Sequence, residues 1–107
     1  MSWTINFTDE AKAELKSTYR YIHDVLLEPQ TALAQIRRIK KATDALDQFP
    51  FRFRVYEHEP FRTKGFRVMP VDNYLVFYVP DETKETVSIV RIIYGGRDIN
   101  AQLEQSE

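Results

Sequence analysis

GFRVMPVDNYLVFYVPDETKETVSIVRIIYGGRDI, residues Gly65–Ile99, decides how this chain folds. The runs Phe66–Val71, Tyr74–Val79 and Val87–Tyr94 are rich in β-branched and aromatic residues and bounded by turn formers, which predicts strands. Asp72-Asn73 joins the first two as a two-residue hairpin, because both residue types tolerate positive φ. Closing the hairpin there pairs Val71 with Tyr74, Met69 with Val76 and Arg67 with Tyr78. Alternate residues of a strand share a face, so these side chains line one side of the hairpin. Phe66, Val68, Pro70, Leu75, Phe77 and Val79 line the other, which is wholly apolar. The expectation is that helices seal this apolar side and leave Arg67, Tyr74 and Tyr78 on an open one. Val87–Tyr94 is almost continuously apolar, as a central strand would be.

The helices come from upstream. Trp3-Thr4-Ile5-Asn6-Phe7 alternates with period two and predicts a short strand. Thr8 or Asp9 can then cap a helix by accepting from its free N–H groups. Ala11, Leu15, Thr18, Ile22 and Leu26 form its buried stripe, with an end near Leu27. Pro29 suits the first turn of a second helix, whose inner stripe is Ala32, Ile36, Ile39, Thr43 and Leu46. Phe49-Pro50 ends it. FRFRVYEHEPFRTK, residues 51–64, loses the alternation and reads as an extended arm, with a short strand possible at Phe51–Tyr56. The tail Gln102–Glu107 is polar and is expected to fray. A helical hairpin cannot hide both apolar faces without a sheet. The fold expected is therefore α+β, one domain over residues 1–107: an N-terminal strand and a two-helix hairpin packed on one face of a small antiparallel sheet.

Composition removes several function classes. Without Cys there is no disulfide framework, thiol nucleophile or thiolate metal site. No apolar run reaches the roughly 18 residues of a membrane span, and MSWTINFTDE lacks signal-peptide regions, so a cytoplasmic location is expected. His23 and His58 have no metal-ligand spacing, and Gly95-Gly96 reads as a turn rather than a phosphate loop. No metal or cofactor is expected. The net charge of −1 hides an asymmetry: residues 36–67 hold nine basic against four acidic side chains, an excess of five that leaves −6 elsewhere. That segment reads either as a patch for nucleic acid or acidic protein, or as a solvated helix face and charged loop.

The chemistry left is an Arg/Tyr set. Arg67 and Tyr78 neighbour across the hairpin, and Tyr94 and Arg97 follow the last strand. Guanidinium groups hold phosphate by paired hydrogen bonds, and a phenol can stack on a base or transfer a proton. Such a set could cleave RNA without metal through attack by its own 2′-hydroxyl. The competing reading is that the arginines pair with carboxylates and the tyrosines finish the sheet. Arg52, Arg54, Arg62, Lys64, Tyr78 and Arg91 are the candidates for binding a target or RNA.

WTINFTDEAKAEL, ALDQFP, GFRVMPVDNYLVFY and VSIVRIIYGGRDI, in this order over nearly the whole chain, resemble the RelE/ParE superfamily. These are the toxins of type II toxin–antitoxin modules, known for plasmid stabilisation. The resemblance implies growth arrest and a cognate antitoxin that wraps basic surface and alone contacts operator DNA. Two activities occur among such toxins, inhibition of DNA gyrase (ParE-like) and ribosome-dependent, metal-independent mRNA cleavage (RelE-like). By this resemblance Arg67 matches a basic position of the second strand, Arg97 the arginine after the last strand, and Tyr94 a position often His or Tyr. Arg67, Tyr94 and Arg97 are thus the implied catalytic residues. RelE-like nucleases usually carry an Arg in the third strand, where this chain has Leu75 or Tyr74. That departure and the YGGRDI ending favour gyrase; mRNA cleavage is the alternative, and a regulatory relative without toxicity a third.

Overall fold

Val71 faces Tyr74, Met69 faces Val76 and Arg67 faces Tyr78 in the computed structural model, the register that the Asp72-Asn73 turn dictates. Asp72 takes φ 55°, the left-handed conformation that a tight hairpin needs. The structure describes residues 2–96 and 99–104. β1 (Thr4–Phe7) leads into α1 (Asp9–Arg20), which continues as a π turn at Tyr21–Val25. α2 (Pro29–Asp44) ends in a 3-10 turn at Ala45–Asp47, and β2 (Arg67–Val71), β3 (Tyr74–Asp81), β4 (Thr86–Tyr94) and α3 (Ile99–Glu104) follow. The Thr8 hydroxyl caps α1 by accepting from Ala11 N–H, and Pro29 occupies the first turn of α2. Strand order is β1-β4-β3-β2, so β3 and β4 are central. The hairpin trio is antiparallel, and β1 adds a parallel edge against β4. The architecture is the α+β one expected.

The helices cover the opposite face from the one expected. Ala11, Leu15, Ile39 and Leu46 pack with Met69, Val71, Val76 and Tyr78, joined by Val87, Ile89 and Ile92 of β4. Phe77, Val68 and Leu75 do not meet the helices; they lie under Tyr56 and Phe61 of the arm and Leu103 of α3. Both faces of the hairpin are buried because both are apolar enough to need a cover. A phenol on the helix face is tolerated because its hydroxyl finds a partner: Tyr78 is 0% exposed and donates to Pro50 C=O at 2.7 Å.

A bulge in β4 completes this arrangement. Phe77 faces Arg91 but Tyr78 faces Ile89, so Val90 is an extra residue and the side-chain alternation inverts there. Val87, Ile89 and Ile92 thereby share the helix face, while Arg91 and Ile93 turn to the other. The tail is a further correction. α3 runs to Glu104 and its Leu103 is fully buried, so residues 102–104 are held by packing rather than frayed. At Phe51–Tyr56 only a single bridge forms, Val55 with Arg67. Leu26 is half exposed and leaves the α1 stripe, because the helix widens before it and Leu27 turns the chain at φ 56°. Among the described residues no helix is long and apolar enough to cross a membrane.

Candidate target-binding face

The arm is an incomplete extra strand beside β2. Val68 N–H donates to Arg54 C=O at 3.1 Å, and Tyr56 N–H to Phe66 C=O at 2.8 Å. Arg67 clamps it, its Nη1 donating to Phe51 C=O at 3.1 Å and Phe53 C=O at 2.6 Å. Ahead of the bridge the chain turns, Arg52 N–H donating to Phe49 C=O at 3.2 Å. Phe53 packs against the main core and Tyr56 is buried, whereas Arg52 and Arg54 are exposed. Before them, Phe49 sits at φ 55° with 76% of its surface exposed. A bulky residue held in that region is a backbone outlier, and here it presents a benzyl group to water. Phe51 is also exposed; the Arg67 guanidinium lies 4.9 Å from its ring centre and Trp3 meets it edge-on at 5.7 Å. Arg52 lies 5.2 Å from the Phe53 ring. Cations over aromatic faces and exposed rings together make a surface suited to macromolecular recognition.

The sequence-derived catalytic set does not converge. Arg67 faces Tyr78 and Tyr94 faces Tyr74, on opposite flanks of β3 and four residues apart along it. Strand rise and spacing then place their Cα atoms roughly 16 Å apart. Tyr94 is exposed at the hairpin-turn end, its ring 5.6 Å from that of Tyr74 and its neighbour Gly95 donating to Asn73 C=O at 2.8 Å. Arg97 lies outside the described residues. Arg62 and Lys64 are exposed on the turn that ends the arm, where Glu59 accepts from the Thr63 N–H and hydroxyl. Those hydrogen bonds hold the Glu59 carboxyl below its usual range.

Two candidates are internal, contrary to the expectation that they face a target. Arg91 is 7% exposed and forms an ion pair with Glu14 of α1 at 2.7 Å. Tyr78 is sealed beneath α1 and α2, and burial pushes its phenol above the ordinary 10.0, against a backbone hydrogen bond with Phe53 and the Arg67 and Arg52 charges. That shift makes a testable sign. An unfolded tyrosine ionises near pH 10 while the folded one still holds its proton, so this stabilisation is complete below pH 10. It is lost as pH rises toward the higher folded value. Tyr78→Phe should cost about 1–2 kcal/mol at pH 7 by leaving Pro50 C=O without this donor. The same variant should lack the alkaline loss, as thermal melts between pH 7 and 11 would measure.

Reading by residue type missed Phe49, Phe51 and Trp3. Phe49-Pro50 served there only to end a helix, and FRFR gave Arg52 and Arg54 as binding candidates and a possible short strand, with no role for its phenylalanines. The signal available was three phenylalanines at every second position, 49, 51 and 53, with arginine between the last two and after. Among the described residues no three His, Asp or Glu side chains are grouped as a metal site would need.

The fold as a whole has known counterparts. The chromosomal ParDE toxin–antitoxin system of P. aeruginosa is similar at 21% identity, over 87% of this chain and 96% of that one, with a TM-score of 0.71. The toxin–antitoxin complex RelBE2 of Mycobacterium tuberculosis gives 22%, 88%, 99% and 0.61 for the same quantities. The archaeal RelE–RelB complex of Pyrococcus horikoshii gives 19%, 92%, 100% and 0.59. At such identities the likeness establishes the fold. No curated protein matches the chain. A family model does: that of the ParE toxin of the type II toxin–antitoxin system parDE matches residues 5–99. With nearly the whole length matched, the chain belongs to the ParE toxin family of type II toxin–antitoxin systems.

Proposed function

We propose that this toxin arrests growth by binding and inhibiting DNA gyrase, and that a cognate antitoxin neutralises it. The observation that carries the reading is the separation of Arg67 from Tyr94. Metal-free RNA cleavage needs a phosphate clamp and a proton-transfer group within hydrogen-bond reach of one phosphodiester. Arg67, across β3 from Tyr94, is already bound to two arm carbonyls, and an arm held in this way suits a rigid binding surface instead. The exposed arm residues Phe49, Phe51, Arg52 and Arg54 are the proposed contacts. Arg67 acts in this account as the clamp that sets the arm. Arg62 and Lys64 extend the positive charge, and Arg97 remains a candidate contact after the last strand. The antitoxin is proposed because the similar RelE–RelB and RelBE2 structures are toxin–antitoxin complexes.

The test uses purified toxin in two assays. A gyrase supercoiling reaction should stop at stoichiometric toxin and resume on adding the product of the neighbouring open reading frame. Ribosome-bound mRNA in a translation extract should stay intact. Tyr94→Phe should leave growth arrest unchanged. Codon-spaced mRNA cuts that vanish in that variant, with supercoiling unimpaired, would replace the gyrase reading by nuclease action.

A further inference from the structure

We infer that the outer face of α2 binds the phosphate backbone of duplex DNA directly, through Arg37, Arg38 and Lys41. This goes beyond the gyrase reading and does not rest on it. It also departs from the family expectation that the antitoxin alone contacts DNA. The buried residues of α2 are Ala32, Gln35, Ile39 and Thr43, which mark the side that meets the sheet. At about 100° per residue, Arg37 and Lys41 fall within roughly 20° of the direction opposite Ile39. Arg38 occupies one shoulder between core and crest, and Lys40 the other. All four cations are exposed, and the only acidic residue of α2 is Asp44 at its end.

Two of these cations have work inside the fold. Lys40 lies 4.7 Å from the centre of the Phe7 ring, and Arg38 is tied to Asp72 at 2.6 Å, though 52% of its side chain stays exposed. Arg37 and Lys41 have none: among the described residues neither side chain is in an ion pair or hydrogen bond. The helix dipole favours a cation in the last turn, as at Lys41, but its reach ends before Arg37, about two turns from the C-terminus. Charge complementarity selects the occupant. Residues three and four apart hold their cations about 5–6 Å from one another, and a duplex offers a phosphate about every 1.7 Å of its axis, so each can reach one. α2 has no aromatic residue, so unpaired bases would find nothing to stack on. An acidic protein is the poorer partner. The outer stripe, Gln30, Ala34, Arg37 and Lys41, lacks the large apolar or aromatic anchor on which protein interfaces depend. Contacts confined to phosphate carry no base readout, so binding is independent of sequence.

The experiment measures binding of full-length toxin to a fluorescent mixed-sequence duplex of about 30 bp as salt rises from about 50 to about 200 mM. A chain with net charge −1 has no overall attraction for DNA, so binding must come from a local patch. Log affinity should fall against log salt with a slope of about −3, one phosphate for each of the three cations. An Arg37→Ala/Lys41→Ala variant, folded because both side chains are exposed and unpaired, should lose about 2 from the magnitude of that slope. It should also bind at least roughly tenfold more weakly at low salt. An Arg52→Ala/Arg54→Ala variant should keep the parent slope. No binding at low salt, an unchanged slope in the α2 variant, a slope lost in the arm variant instead, or tighter binding to a single strand of the same length would each overturn the site. The supercoiling assay tests the gyrase reading separately, and none of these outcomes bears on it.

Discussion

Growth arrest disappears from a Phe49→Ala/Arg52→Ala variant that melts at the temperature of the parent protein. Both side chains are exposed, so removing them takes little from the core. Exposed aromatic and arginine side chains of this kind act as binding hot spots, worth about 2 kcal/mol or more each when truncated. Together they should weaken gyrase binding by roughly a thousandfold. Titration of the variant in a gyrase binding assay, beside induced-growth curves, measures both effects. Undiminished toxicity in a well-folded double variant would remove the arm face from the mechanism.

A second large effect is expected in stability. Glu14→Ala should destabilise the fold by about 3 kcal/mol, lowering Tm by roughly 12 °C or more in a domain this small. Glu14 Oε2 accepts from Arg91 Nε at 2.9 Å and Nη2 at 2.7 Å, and Oε1 accepts from Ile92 N–H at 2.7 Å. Arg91 Nη1 donates in turn to Gln102 C=O at 2.7 Å, so one buried guanidinium joins α1, β4 and α3. β1 ends opposite Ile89, and the Glu14 carboxylate replaces the missing strand for the next β4 donor. Alanine strands a nearly buried cation and a backbone N–H at once. Glu14→Gln, which keeps an acceptor, should lose markedly less. Urea titrations of the two variants at neutral pH would test the ordering, and equal midpoints would contradict it.

Asp72 shows how local chemistry and tertiary contact combine. Its turn role follows from the Asp72-Asn73 pair, yet its carboxylate also accepts from Arg38 Nε at 2.6 Å and Gln35 Nε2 at 3.0 Å. Those two hydrogen bonds, Arg38 first, keep its carboxyl below the ordinary 3.8. They explain why Gln35 is buried although it is absent from the apolar stripe of α2. Helical spacing picked out apolar residues and Thr43, whereas the burial of an amide depends on a partner that comes from the hairpin turn.

What the sequence determined alone was everything governed by neighbours in the chain. A helix cap at Thr8 or Asp9, Pro29 at a helix start, the hairpin register and the centrality of β4 depend on local φ preference and on periods of two and 3.6. The tertiary structure decided which face each sheet side chain meets. Two apolar faces compete for one helical hairpin, and the choice depends on distant groups: Pro50 C=O for Tyr78, Leu103 and Tyr56 for Phe77. It also decided the roles of the arginines. A guanidinium looks the same in sequence whether it is left exposed, as Arg52 is, clamps an arm, as Arg67 does, or is re-aimed inward by a one-residue bulge, as Arg91 is. Only the positions of acceptors from elsewhere in the chain distinguish them, because a charge is placed by whichever partner satisfies it.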